Sequence, residues 1–272
     1  MARGARPEAM RRLLLAGLLI AVSLAPEAAR SATAPDLSLF AYRQQTGSHL
    51  PARLHLQDED DRSVRLETIS PGLPMILVLG YFHCPNLCGL VREDLLSAVG
   101  ATGLQAGSDY SLVVLSIDPD ETAADAAGAK ARDVVAYPLS GAGSAWHYLT
   151  GSAASVQSVA DAVGLRDRLD PQTRQFIHPA GIVFVTADGV ISSYLLGLGY
   201  TPADVRSAVY RAGAGDIAAA GSPVLLICFH FDPATGRYTL AIEKLLRLAA
   251  VLTAATIAGT MLLLFRRERT RT

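Results

Sequence analysis

Cysteine is scarce in this 272-residue chain, with three in all: Cys84, Cys88 and Cys228. That excludes a disulfide-stapled scaffold, and the odd count leaves at least one thiol unpaired or employed. Lysine is scarcer still, Lys130 and Lys244 being the only two among 24 basic residues, and the formal net charge is −1. A near-neutral chain lacks the basic stripe of a nucleic-acid-binding domain, so no nucleic-acid partner is expected. Charged residues make up 18% and aromatics 6%, the former below the usual ~25%. With half of the residues hydrophobic, disorder is excluded, and some apolar segments are expected outside a soluble core. The length is enough to bury a core without staples.

Both ends read as membrane-related. Arg3, Arg6, Arg11 and Arg12 precede the apolar run Leu13 to Ala25, which Pro26 ends. A positive flank with a short apolar core is the form of a secretory signal, and Ala32-Thr33-Ala34 fits its cleavage site. The alternative is an uncleaved anchor. Leu248 to Phe265 is 18 residues without a charge, followed by Arg266, Arg267, Arg269 and Arg271. At ~1.5 Å per residue it reaches ~27 Å, close to the thickness of a bilayer core, and basic residues stay on the cytoplasmic side. The expectation is a single-pass protein of the cell inner membrane. Its globular part lies on the periplasmic, extracytoplasmic side, and its C-terminus is cytoplasmic. The expected division is a signal peptide over 1–34 and a globular domain over 35–212. A linker and membrane-proximal hairpin follow over 213–242, then a transmembrane anchor and basic tail over 243–272.

Between the ends, strands alternate with helices. Met75 to Leu79, Leu112 to Ile117 and Gly181 to Val185 are apolar runs of strand length, the form of strands buried on both faces. Val91, Leu95, Ala98 and Val99 recur at helical spacing, and Gly100 stops that helix. Residues 121–132 are helix-prone. Ser152 caps a helix whose apolar face is Val156, Val159, Ala160 and Val163, with Gly164 at its end. Asp188-Gly189 is a hairpin turn into Val190-Ile191. Thr201-Pro202-Ala203-Asp204 supplies an N-cap, an N1 proline and an acidic third residue for a last helix. Residues 58–62 read as a solvated turn, and His147, next to Trp146, as packing or surface. The sum is an α/β layer fold with a mixed sheet and flanking helices.

The chemistry gathers at Cys84-Pro85-Asn86-Leu87-Cys88, which leaves an apolar strand and enters a helix. The carboxyl end of a strand is where α/β folds present reactive groups. A helix N-terminus favours the thiolate, the form that attacks disulfides and binds metal. Three residues separate the cysteines, one more than in thioredoxin-type redox motifs. Two thiolates with that freedom suit a soft monovalent ion, with a nitrogen ligand completing the site. The nitrogen has six sources: His49, His55, His83, His147, His178 and His230. His178 stands just before an expected central strand, where it can lie beside another strand's loop. Spacing alone does not single it out.

The string Leu79-Gly80-Tyr81-Phe82-His83-Cys84-Pro85-Asn86-Leu87-Cys88 resembles the copper motif of the Sco/SenC family. Ser116-Ile117-Asp118-Pro119-Asp120-Glu121-Thr122 and Trp146-His147-Tyr148-Leu149-Thr150-Gly151 resemble two further landmarks of that family, and His178 aligns with its histidine ligand. The resemblance covers roughly residues 40–212. It implies a thioredoxin-like fold and copper held by Cys84, Cys88 and His178. It also implies a role as a metallochaperone for the copper site of cytochrome c oxidase subunit II, or another copper protein. The alternative is a membrane-tethered thiol–disulfide oxidoreductase with Cys84 and Cys88 as its redox pair, an enzyme rather than a chaperone. Gly89 stands where many members have proline. The anchor is at the opposite end from that of many members.

Val224 to Phe231 reads as a strand, Asp232 to Gly236 as a turn and Arg237 to Leu240 as a return strand. Period two puts Cys228 and His230 on one face. That is either an auxiliary metal site or a buried cysteine in a stiffening hairpin; the second reading is preferred.

Overall fold

The computed structural model describes residues 41–221 apart from 52, 85, 86 and 172, together with positions 249, 250, 252, 253, 256, 257, 259 and 260. All of these lie within the unit Leu37–Thr272. The order begins with a short hairpin, β1 (His55–Gln57) and β2 (Ser63–Arg65), and a helical turn, α1 (Leu66–Ile69). Next come β3 (Met75–Gly80), α2 (Leu87–Gly100), β4 (Ser111–Ser116) and α3 (Ala123–Ala136). A turn α4 (Ala142–Ala145), β5 (Trp146–Leu149) and α5 (Ala153–Val163) follow. A second small hairpin pairs β6 (Arg168–Asp170) with β7 (Gln175–Ile177), before β8 (Gly181–Val185), β9 (Ile191–Leu196) and α6 (Pro202–Gly213).

Five strands form the central sheet in the order β5-β4-β3-β8-β9. β3 runs parallel to β4, and β4 to β5, whereas β8 is antiparallel to both β3 and β9. β3, β4 and β8 are buried at every position, as the unbroken apolar runs require of strands covered on both faces. Ile76, Val78, Leu112 and Val114 face one cluster with Val91, Leu95, Leu96 and Val99 of α2, and Val205, Ala208 and Val209 of α6. Leu77, Leu79, Val113 and Leu115 face the other, with Val156, Val159 and Val163 of α5 and Leu56 of the first hairpin. Each fully buried Leu or Val contributes roughly 1.5–3 kcal/mol. The result is helix, sheet, helix in three layers, with β3 at the centre.

The helix ends follow the sequence signals. The Ser152 side chain accepts the Ser155 N–H, and that of Thr201 accepts the Asp204 N–H behind an N1 proline. Gly164 ends α5 in the left-handed region at φ 67°, the conformation that glycine adopts without strain. A capping box of Thr122 and Asp125 opens α3.

Two local readings change. His147 does more than pack beside Trp146: with Trp146, Tyr148 and Leu149 it forms β5, paired in register with Leu112 to Leu115. Residues 58–62 do form a turn, between β1 and β2, but not a merely solvated one. Asp58 is buried and its carboxylate accepts the N–H groups of Asp60 and Arg62. Glu59 pairs with Lys130 and accepts the Tyr148 N–H at 3.0 Å. The charge run therefore ties the first hairpin to α3 and β5.

The expected N-terminal signal and the hairpin of residues 224–240 lie outside the described residues. So does most of the expected span Leu248 to Phe265, whose described positions 249–260 are helical where assigned. Among the described residues, no helix is long and apolar enough to cross a membrane.

Candidate metal centre

β3 delivers the chain to Gly80 in the middle of the sheet, and Tyr81 to Cys84 continue from its carboxyl end. α2 begins at Leu87, so Cys88 stands on its first turn, where unpaired N–H groups and the helix dipole stabilise a thiolate. Cys88 is buried and Cys84 half-buried.

His178 is 1% exposed. β8 is antiparallel to β3 with Val78 opposite Ile182, so the chain entering β8 passes beside the chain leaving β3. That register sets the His178 ring against the start of α2, with Nε2 3.1 Å from Cys88 Sγ. The other ring nitrogen, Nδ1, lies 3.0 Å from the Pro179 carbonyl oxygen. A carbonyl oxygen only accepts, so Nδ1 carries a proton, and Nε2 faces the sulfur. This placement is inferred from the partner. It is also the one a metal ligand needs, with the far nitrogen held by a backbone carbonyl.

Tyr81 forms a wall beside the thiols and the histidine. Its ring meets His178 edge-on at 6.2 Å and Phe176 of β7 at 5.7 Å. Burial raises the pKa of its phenol well above the ordinary value, and the neighbouring Cys84 and then Cys88 raise it further. The hydroxyl therefore stays protonated beside the sulfurs.

Glu121, which follows β4, fixes the loop from behind. Its carboxylate accepts the N–H groups of Phe82 at 2.8 Å and His83 at 2.7 Å. It also accepts the Ser116 hydroxyl at 2.6 Å, and it sits 3.1 Å from His83 Nδ1. The His83 ring is otherwise exposed and turned toward Glu121 and Asp125, away from the Cys88–His178 pair. One turn beyond Cys88, the buried Arg92 pairs with Asp133, which accepts the Tyr148 hydroxyl at 2.6 Å. That network locks α2 to α3 and β5. Arg92 lines the same tight cleft as Cys88 and His178, its charge met by Asp133. Burial raises the pKa of the Asp167 carboxyl, with the His178 imidazole pulling the opposite way.

Of the residues singled out from the sequence, Cys88 and His178 come together. Cys84 stands beside Tyr81, as Cys88 does; among the described residues no group of three or more metal-binding side chains is found. Cys228 and His230 lie outside the described residues. His49 and His55 stand elsewhere, at a bridge to Val190 and beside Ser63. His147 lies on β5. Tyr81 and Glu121 were not singled out. Each lies inside a quoted string, but no spacing marks a contact across 38 residues.

The donors fit a soft metal ion. Thiolate and imidazole select copper(I) or zinc over hard cations, and two sulfurs with one nitrogen suit the former.

A mixed sheet with a cysteine motif on the central strand's carboxyl end, helices on both faces and a histidine entering an antiparallel neighbour defines a thioredoxin-like protein. A profile of the SCO1/SenC family matches residues 43–211, and the chain belongs to that family. Two Aquifex aeolicus VF5 proteins share its fold. One, assigned to electron transfer, has a TM-score of 0.54 at 24% identity over 63% of this chain and 95% of its own. The other, assigned to electron transport, has a TM-score of 0.51 at 23% identity over 63% and 99%. A structure of Arabidopsis thaliana ScoI with copper bound has a TM-score of 0.49 at 19% identity over 61% and 96%. No curated protein matches the chain.

Proposed function

We propose that this protein carries copper(I) through Cys84, Cys88 and His178, and delivers it to the copper site of cytochrome c oxidase subunit II during assembly. The observation that supports this most directly is the 3.1 Å approach of His178 Nε2 to Cys88 Sγ, with Nδ1 committed to a carbonyl. In the metal-free pair sulfur and nitrogen face each other across the space of one proton. Copper takes that place: Cys88 and Cys84 each lose a proton, and the Nε2 lone pair becomes a bond to the metal. Cys84, the more accessible sulfur, closes on the pair last and releases first. Transfer then proceeds by exchange of one ligand at a time with the recipient's thiolates. Loading weakens in acid, because protons compete for all three donors.

The protein works from the outer side of the membrane in this reading. Residues 1–34 act as a secretory signal and Leu248 to Phe265 as the anchor. A second reading, thiol–disulfide exchange on the recipient's cysteines, draws on the unequal exposure of Cys84 and Cys88. An accessible attacking thiol beside a buried resolving one suits that chemistry.

The test is a titration of the reduced full chain with copper(I) against a competing chelator. His178→Ala is expected to weaken copper binding by about 100-fold or more, beyond what loss of an outer-shell partner costs. The same variant is expected to keep its rate of disulfide exchange with a small dithiol. Unchanged copper affinity in His178→Ala removes the histidine from the ligand set.

A further inference from the structure

β9 is the free edge of the central sheet, and its outer side changes character along its length. At its start the edge is covered: Gly47 N–H donates to the Ile191 carbonyl, Ile191 N–H to Ser48, and Ala218 N–H to Ser192. Further on it is bare. Gly197 N–H donates to Ala180 on the inner side, and Leu196 stands opposite Gly181. Bonded pairs alternate in an antiparallel ladder, so Tyr194 and Leu196 turn their backbone N–H and C=O groups away from β8. Among the described residues neither receives a backbone partner there.

That bare stretch floors a groove of about 380 Å³, walled by Gln44 on one side and by Asp204, Ser207, Ala208 and Arg211 of α6 on the other. Ser193 lines it with a hydroxyl that is buried and has no hydrogen-bond partner among the described residues. The described chain leads to the lip of this groove. Asp216 and Ala218 are bonded to Ser192. At Gly221 the Gln44 side chain grips both backbone groups, accepting the N–H at 3.0 Å and donating to the carbonyl at 2.9 Å. A primary amide that makes both bonds reproduces one rung of a β-ladder.

We propose that Ser222 to Phe231, the segment that follows, lies in this groove as an additional strand and pairs with Tyr194 and Leu196. Val224-Leu225-Leu226-Ile227-Cys228-Phe229-His230-Phe231 carries the apolar and aromatic side chains that strands prefer. It begins next to a residue already held at the groove, so almost no loop entropy opposes its docking. A peptide from another molecule has no such advantage in effective concentration. Docking satisfies the bare edge, which otherwise invites pairing with other chains.

The experiment is amide hydrogen exchange on the full chain in lipid nanodiscs, comparing wild type with Leu225→Pro and Leu226→Pro. Adjacent strand residues direct their N–H groups to opposite sides, so one of the two prolines removes a donor aimed at β9 whatever the register. The Tyr194 and Leu196 amides are expected to be protected in the wild type. In at least one proline variant they exchange about tenfold faster or more, as for loss of one local structural unit. Leu77 and Val113 in the sheet centre stay unchanged, which shows that the domain remains folded. Gln44→Ala, which leaves the docking segment intact, is expected to speed the same two amides to a lesser extent. Three results overturn the proposal: no protection of Tyr194 and Leu196 in the wild type; protection untouched by all three variants; or protection that disappears on dilution, which assigns the edge to a second copy.

Discussion

Glu121 joins two stretches of chain that the sequence keeps far apart. Its carboxylate, with a side chain only 4% exposed, holds the N–H groups of Phe82 and His83 and so sets the path of the loop into Cys84. Glu121→Ala strands both donors, at about 1–3 kcal/mol for each buried group left unsatisfied. The expected loss is about 2–5 kcal/mol in urea unfolding, with weaker copper retention in the variant that still folds. The Cys84–Cys88 pair was legible as a candidate site from its spacing and strand position, whereas His178, which lies 3.1 Å from Cys88, was picked out by the family resemblance. Glu121 and Tyr81 were not legible, because their roles depend on contacts across the sheet that no periodicity encodes. The Nδ1 proton of His178 was equally hidden, since it rests on one carbonyl in the finished fold.

Among the elements, those with strong local grammar were readable: the apolar runs of β3, β4 and β8, the capped helices α5 and α6, and the Asp188-Gly189 turn. β5 was not. Its four residues include Trp146 and His147, and only their pairing with β4 makes them a strand. The hairpin β6–β7 is similarly short, with no fully buried residue, yet it supplies Phe176 to the wall around Tyr81. Gly164 shows how a helix end depends on its surroundings. A Cβ there would meet the Arg43 carbonyl oxygen at 1.9 Å, while Arg43 N–H donates to the Gly164 carbonyl at 2.8 Å. Gly164→Ala is expected to cost more than the ~1–2 kcal/mol of a left-handed alanine, read as a lowered Tm. Val163→Ala, a deletion on the same helix, is expected to cost comparably through a cavity alone, about 1–3 kcal/mol.

For the whole molecule, acid is a threat even without copper. Burial lowers the pKa of His147 below its ordinary 6.5, with Lys130 acting the same way and Glu59 and Asp58 opposing. A group with a depressed folded value contributes its full stability above the unfolded pKa and loses it as pH falls. As pH drops through about 6.5 the unfolded chain therefore takes up this proton before the folded one does. His147→Gln is expected to show a smaller drop in Tm than wild type between about pH 7.5 and about pH 5.5.

The antiparallel register of β3 and β8 also limits how this protein tolerates changes of length. Cys88 and His178 meet because Val78 stands opposite Ile182, and both segments then run on into the site without slack. A one-residue insertion in either strand turns every following side chain to the opposite face, so it would separate the ligands without altering any of them. The connections at residues 101–110 and 137–145 join elements at the opposite end of that ladder and carry no such constraint. Length variation is expected to collect there, and a library of single-residue insertions scored for copper retention would map the site as a silent stretch bounded by permissive loops.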